Sequence, residues 1–224
     1  MSKSRSETEA LARQLYRDQK HLLDLIKKPT AGLGFEEAMR RIFGEGPPRG
    51  QRAKLAKQSI DLFSVAPTRV SLLPASWTDA LDPLAAVRIG CENWWAGYPL
   101  ILWVEMRVGD DGVTGQLILN GEVGPVRDHR LRKGLIRLIR TRAAEERSTR
   151  IQFPPGSADK GRLYTRFLRQ NAMAVENCRN ADEVEQRFLA LLAAFKPEID
   201  LIARIFPALA EMSKSDTGPA LRSE

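Results

Sequence analysis

The sequence predicts an α/β fold of the α+β type: a mainly antiparallel sheet of four or five strands, helices covering one face, and a helical N-terminal arm. Three stretches carry that expectation. Residues 100–108 (LILWVEMRV) are rich in the branched and aromatic residues that suit a pleated, half-buried surface, and residues 115–123 (GQLILNGEV) return as their partner across Gly109-Asp-Asp-Gly112, which tolerates positive φ. Past Gly124-Pro125 the apolar spacing becomes helical: over 127–147, Leu131, Leu135, Leu138 and Ile139 share one face, while Arg130, Lys133, Arg137, Arg140 and Arg147 gather on the other. Finally, Asn180 followed by Glu183 resembles a capping box opening a helix with Val184, Phe188, Leu191, Leu192 and Phe195 as its apolar stripe. Pro197 breaks that helix, and Ile199, Leu201, Ile202, Ile205 and Phe206 continue the pattern to about Met212.

Taken in order, residues 1–63 form the arm, 64–212 the α/β domain and 213–224 a polar, disordered tail. Residues 1–6 are disordered, and 7–28 form a helix with Leu11, Leu15, Leu22 and Leu25 near a heptad register that Asp18 interrupts. This helix either packs on the body of the protein or pairs as a short dimer coil. A second helix over 35–43 precedes a Gly/Pro hinge at 44–50, and Arg49, Arg52, Lys54 and Lys57 lie on or beside the start of a further helical piece reaching about Phe63. Residues 69–73 alternate as the first strand, stopped by Pro74; 75–84 make a turn and short helix capped by Ser76 or Thr78, and 87–90 a brief extended piece. Trp94, Trp95 and Tyr98 either close the end of the sheet as core aromatics or offer rings for stacking on bases. After the basic helix, 149–153 is a fourth strand, 160–170 a short helix that sets Arg166 and Arg169 on one side, and 172–177 the last strand.

Charge is the strongest functional signal. The chain carries a net charge of +7, and it is segregated: residues 1–60 hold 13 Lys/Arg against 7 Asp/Glu and residues 126–179 hold 14 against 5, whereas 61–125 hold 3 against 8 and 180–224 hold 5 against 8. Two basic blocks are what a polyanion requires, because each neutralised phosphate releases counterions and adds sequence-independent affinity. Solvated helix faces would produce the same count. No run approaches the roughly 20 apolar residues that span a bilayer, and the N-terminus has no apolar signal core, so the expected location is the cytoplasm, without a membrane partner.

Chemistry is thinly represented. Cys91 and Cys178 are isolated, His21 and His129 are the only histidines, and no zinc-ligand spacing, GxSxG, HExxH or Walker lysine occurs, so neither a cofactor nor a metal is expected. Gly32 and Gly34 follow no strand and precede no GKS or GKT. Glu105-Met-Arg107, with Asp79 and Asp82 upstream and Gln116 on the next strand, is loosely arranged like a metal-dependent nuclease site, but the lysine position holds Arg107, which stays protonated and cannot act as a base.

The order of elements (a tryptophan-bearing segment, WVEMR, a glycine turn, GQLILNGEVGP, RLRKGLIRLIR, YTRFL and an amphipathic helix) resembles the C-terminal accessory region attached to some bacterial PD-(D/E)XK-superfamily nucleases of defence type, over about residues 68–210. The nuclease core of that family has no counterpart. The resemblance implies a role in binding nucleic acid or a partner, in phage defence, without cleavage chemistry. Three functions are therefore expected in order: a nucleic-acid-binding module using Arg130, Lys133, Arg137, Arg140 and Arg147, supported by Arg162, Arg166 and Arg169 and by Arg52, Lys54 and Lys57; a protein-interaction or oligomerisation subunit whose N-terminal and C-terminal helices dock a partner protein or a second copy of the chain; and a degenerate metal-dependent nuclease.

Overall fold

The computed structural model describes residues 32–214. Helix α1 (Gly32–Phe43) leads into strands β1 (Gln51–Leu55), β2 (Gln58–Ala66) and β3 (Arg69–Pro74), followed by helices α2 (Ala75–Leu81) and α3 (Ala85–Arg88). Strands β4 (Leu100–Val108) and β5 (Gly115–Val123) then form the predicted hairpin, with the same bounds. Helix α4 (His129–Glu145) is followed by β6 (Thr165–Arg166), β7 (Ala172–Val175) and helices α5 (Ala181–Ala194), α6 (Lys196–Ala203) and α7 (Phe206–Lys214). One antiparallel sheet runs β1-β2-β3-β4-β5, with β6 and β7 placed successively along the outer side of β5.

Paired residues in an antiparallel sheet share a face, so the register sorts the side chains into two layers. Val70, Val104 and Leu119 form one row across β3, β4 and β5, and Leu72 pairs with Leu102 beside it; all are buried. This is the helix-covered face. Helix α2 packs on β2 and β3, and α5 on β5 and β7. Within the helix layer Trp77 donates Nε1–H to Ile199 O and meets Phe206 edge-on, α4 packs against α6 and α7, and Phe43 of α1 meets Phe188 of α5. The intervening rows, Ser71–Trp103–Asn120 and Arg69–Glu105–Ile118, look the other way and mix Trp103 and Ile118 with four polar or charged residues.

The caps explain where the long helices start. Asp128 accepts from the backbone N–H groups of Arg130 and Leu131, and Asn180 from those of Asp182 and Glu183. Glu183 does not return to Asn180 as a capping box would; it accepts from the N–H groups of Glu176 and Asn177, tying α5 to the end of β7. Pro197 falls in the first turn of α6, where its missing N–H is harmless, so the chain breaks at Phe195 as expected.

Several expectations are corrected. The sheet has seven strands because residues 51–63, read as helical, form the β1–β2 hairpin, and because a two-residue β6 adds to β5. Phe35, Met39 and Phe43 of α1 share the core with Ile60 and Leu62 of β2, so residues 44–50 connect parts of one body rather than hinge an arm. Val87 and Arg88 belong to the helical turn α3 and only Ile89 after them is extended, and α2 is preceded by Pro74 without a side-chain cap from Ser76 or Thr78. Residues 160–170 are not helical: they run irregularly into β6, and the strand expected at 149–153 contributes a single bridge, Ile151 to Leu168. Helix α7 extends through Lys214, past the expected start of the tail. The N-terminal helix, its dimer-coil alternative and the rest of the tail lie outside the described residues.

Candidate nucleic-acid interface

Helix α4 sets its apolar arc (Leu131, Leu135, Ile136, Ile139) into the core and leaves Arg130, Lys133, Arg137 and Arg140 exposed along one stripe. Among the described residues no carboxylate pairs with Lys133, Arg137 or Arg140. Arg140 is nevertheless engaged: Nη2 reaches the carbonyls of Phe153 and Pro154 at 3.4 Å, and its guanidinium lies 5.5 Å from the Phe153 ring. Arg130 Nη2 approaches Met212 O at 3.5 Å. Arg147 is exposed and stands just past the end of the helix with φ 53.

One residue of this helix that the charge pattern did not single out holds the neighbouring loop. Arg132 is 2 % exposed and donates to Gly124 O (3.1 Å), Ser157 O (2.9 Å) and Thr165 Oγ1 (3.0 Å). Burial, then the nearby Arg162 charge, depress its pKa. These bonds tie Gly124, Ser157 and Thr165 to α4 and leave the Arg162 charge close enough to Arg132 to act on it. A buried position within a run of basic residues was the available signal: on the helical wheel Arg132 falls nearer to Leu135 and Ile139 than to Arg137.

The other predicted residues do not converge there. Arg52 lies on β1, at the far edge of the sheet, bonded to Asp61 (2.7 and 2.9 Å) and Asp79 (2.7 Å). Burial pushes the Asp61 carboxyl up, but Arg52 and the Thr78 hydroxyl outweigh it and hold its pKa below the usual range. Lys54 shares that strand, and Lys57 sits in the β1–β2 turn at φ 62. Arg169, in the irregular segment before β7, donates to the neighbouring Leu168 O.

Arg166 marks a second surface. It pairs in register with Glu122, whose carboxyl burial raises despite the Arg166 and Arg132 charges, and its guanidinium lies 4.9 Å from the Trp103 ring centroid. Trp103 stacks on Trp95 (5.1 Å, 20°), and Arg69 lies 4.9 Å from the Trp95 ring, completing a column Arg69–Trp95–Trp103–Arg166 over the polar face of the sheet. Trp94 and Tyr98 are buried; Trp95 is only partly so. The column is on the side opposite α4: Phe167, next to Arg166 and therefore pointing the other way, stacks on the Phe153 ring that Arg140 covers.

The nuclease-like constellation is not assembled. Glu105 accepts from Arg107 Nε (2.6 Å) and Trp103 Nε1 (3.4 Å), Asp79 is held by Arg52, and Asp82 by Tyr98 (2.6 Å) and Arg88 (3.1 Å). Among the described residues no group of three or more His, Cys, Asp and Glu is placed to hold a metal ion. Cys91 and Cys178 are buried and unpaired, and burial pushes the Cys91 thiol up to about 12. No helix of the described residues is long and apolar enough to cross a membrane. Comparison with family models, with characterised proteins and with solved structures returns no match to this chain.

Proposed function

We propose that the protein is a nucleic-acid-binding module that reads backbone phosphates with the exposed stripe of α4. The observation that carries this reading is the row Arg130, Lys133, Arg137 and Arg140 on one solvent-facing arc, three of its four members without a carboxylate partner among the described residues. Arg162, on the loop bonded to Arg132, adds a positive charge near the helix. Spaced charges on a rigid helix match a phosphate backbone without reading its bases. The resemblance to nuclease-associated accessory regions points to the same class of partner.

The test is binding to labelled single-stranded and duplex DNA and RNA over a salt series, with a Lys133→Ala/Arg137→Ala variant beside the parent. Arg140 is left intact because its guanidinium also braces Phe153 and Pro154. For duplex DNA the log–log salt slope should be shallower in the variant by about 1.8, roughly 0.9 for each phosphate contact removed. Weak binding that the variant leaves unchanged would sink the reading.

A second reading, an interaction subunit, is favoured by one observation: the adjacent Leu163 and Tyr164 are 52 % and 47 % exposed on the loop that carries Arg162. The apolar stripes of α5 and α7, by contrast, are spent in the core. A stable oligomer in high salt with negligible nucleic-acid binding would select this reading.

A further inference from the structure

The polar face of the sheet carries a feature that the α4 stripe does not explain. Trp95 has φ 43, a left-handed conformation that a bulky residue adopts only when its surroundings hold it there. Those surroundings are specific: Arg49 Nη2 donates to Trp95 O at 2.6 Å, Trp103 stacks beneath the indole, and the Arg69 guanidinium lies over it. Beneath the Trp95 ring, the row Ser71–Trp103–Asn120 offers an indole floor flanked by two short polar side chains, and these three are only 1 %, 2 % and 6 % exposed. Asn120 donates Nδ2–H to Ile118 O, and among the described residues its Oδ1 accepts no hydrogen bond. At the end of the column a recess of about 470 Å³ is lined by Ala66, Thr68, Arg69, Glu105, Met106 and Arg107. Arg69 has no carboxylate partner among the described residues, and the Glu105 carboxylate in the recess is already occupied by Arg107 and Trp103.

From this arrangement we infer that the face of β3, β4 and β5 now covered by Trp95 is a nucleotide-binding slot in which the Trp95 ring occupies the place of a base. A planar heteroaromatic ring replaces Trp95 on Trp103, where stacking is tolerant of base identity. Its phosphate lies in the recess against Arg69, the guanidinium there that no carboxylate among the described residues holds, whereas Arg107 is engaged by Glu105. The same chemistry is presented by a free mononucleotide and by the 5′-terminal nucleotide of a strand. The slot lies on the face opposite α4 and stands or falls independently of the stripe.

The test is titration of the full chain with adenosine 5′-monophosphate, and separately with a hexadeoxyadenylate bearing or lacking a 5′-phosphate, followed by intrinsic tryptophan fluorescence and calorimetry. Saturable quenching is expected. Trp95→Gly, which accepts the positive φ and removes the occupant, should tighten binding roughly tenfold, because the competent state no longer has to be reached by displacing the ring. Arg69→Gln, at an exposed position, should weaken binding roughly tenfold through loss of a charge-assisted contact. Lys133→Ala/Arg137→Ala should leave mononucleotide binding unchanged while altering any salt-dependent binding of long strands, which separates this slot from the α4 surface. Equal binding of the mononucleotide and the phosphorylated strand identifies the free nucleotide as ligand, and binding confined to the phosphorylated strand identifies the strand end; either supports the slot. Absence of saturable binding by both ligands in the parent and in Trp95→Gly, or binding indifferent to Arg69→Gln, overturns it.

Discussion

Arg132 shows how one side chain can decide the shape of a surface it does not itself form. Its guanidinium is buried without a direct carboxylate contact and is stabilised by two backbone carbonyls and the Thr165 hydroxyl, with Glu122 contributing only at longer range. Removing a buried donor leaves its acceptors unsatisfied, but it also removes the desolvation cost of the charge, so the two effects oppose each other. With three acceptors abandoned against one charge released, the first effect prevails: Arg132→Met should destabilise the protein by about 2–4 kcal/mol, read from the urea midpoint. The companion change Arg137→Met, at an exposed position of the same helix, should stay within about 0.5 kcal/mol of the parent. Equal effects of the two substitutions would mean that Arg132 carries no structural role. Gly124 belongs to the same junction: a Cβ there would lie 2.2 Å from the Trp94 ring, so the chain can pass between Trp94 and Arg132 only as glycine.

At the scale of elements, the β1–β2 hairpin is both the largest departure from expectation and the most correctable weakness. Its turn is Ala56-Lys57, with φ of 47 and 62, the signature of a type I′ turn made from residues that disfavour it. The double substitution Ala56→Asn/Lys57→Gly, which installs the pair that this turn favours, should stabilise the protein by about 1–2 kcal/mol, seen as a rise in Tm; no change would mean that the strain is relieved elsewhere. The same residues explain why the hairpin was illegible. Neither glycine nor asparagine marks the turn, and a β-bulge between Leu62 and Ser64 breaks the alternation just where it would have declared a strand. Where turn chemistry and spacing agree, as in β4 and β5 across Gly109-Asp-Asp-Gly112, the bounds are readable to the residue. Asn180 and Pro197 likewise place the C-terminal helices, because a cap or a missing N–H acts locally, whereas the Asp128 cap, inside the expected 127–147 helix, emerges only from the structure. The two-residue β6 had no such signal; it exists because Val123 and Glu122 present an edge for Thr165 and Arg166 to meet.

For the whole molecule, the sequence reports how much charge there is but not which side it faces. The stripe on α4 was readable because a helix converts spacing into direction; the column Arg69–Trp95–Trp103–Arg166 draws on four separate segments and depends on register and on the folded loop that carries Trp95. The acidic minority then governs how the protein responds to pH. Hydrogen bonds and charges from arginine or backbone N–H groups hold Glu37, Asp61, Glu92, Asp111 and Glu146 below their ordinary pKa values, while burial raises Glu122. A carboxyl depressed in the folded state contributes stability that is present above its unfolded pKa and is lost as pH falls through the folded value; Glu122 acts in the opposite sense, its burial costing stability only once it ionises. Five against one, the sum is a protein that loses stability on acidification from about pH 5 downward, where the unfolded carboxyl groups begin to take up protons. Asp61, which joins β1, β2 and α2 through Arg52 and Thr78, is the group to test. Asp61→Asn should be less stable than the parent by about 1–3 kcal/mol at pH 7 and should lose less stability between pH 5 and pH 3, so that the two curves converge on the acid side. Parallel curves over that interval would show that Asp61 does not titrate with unfolding and that the Arg52 pair contributes no pH-dependent stability.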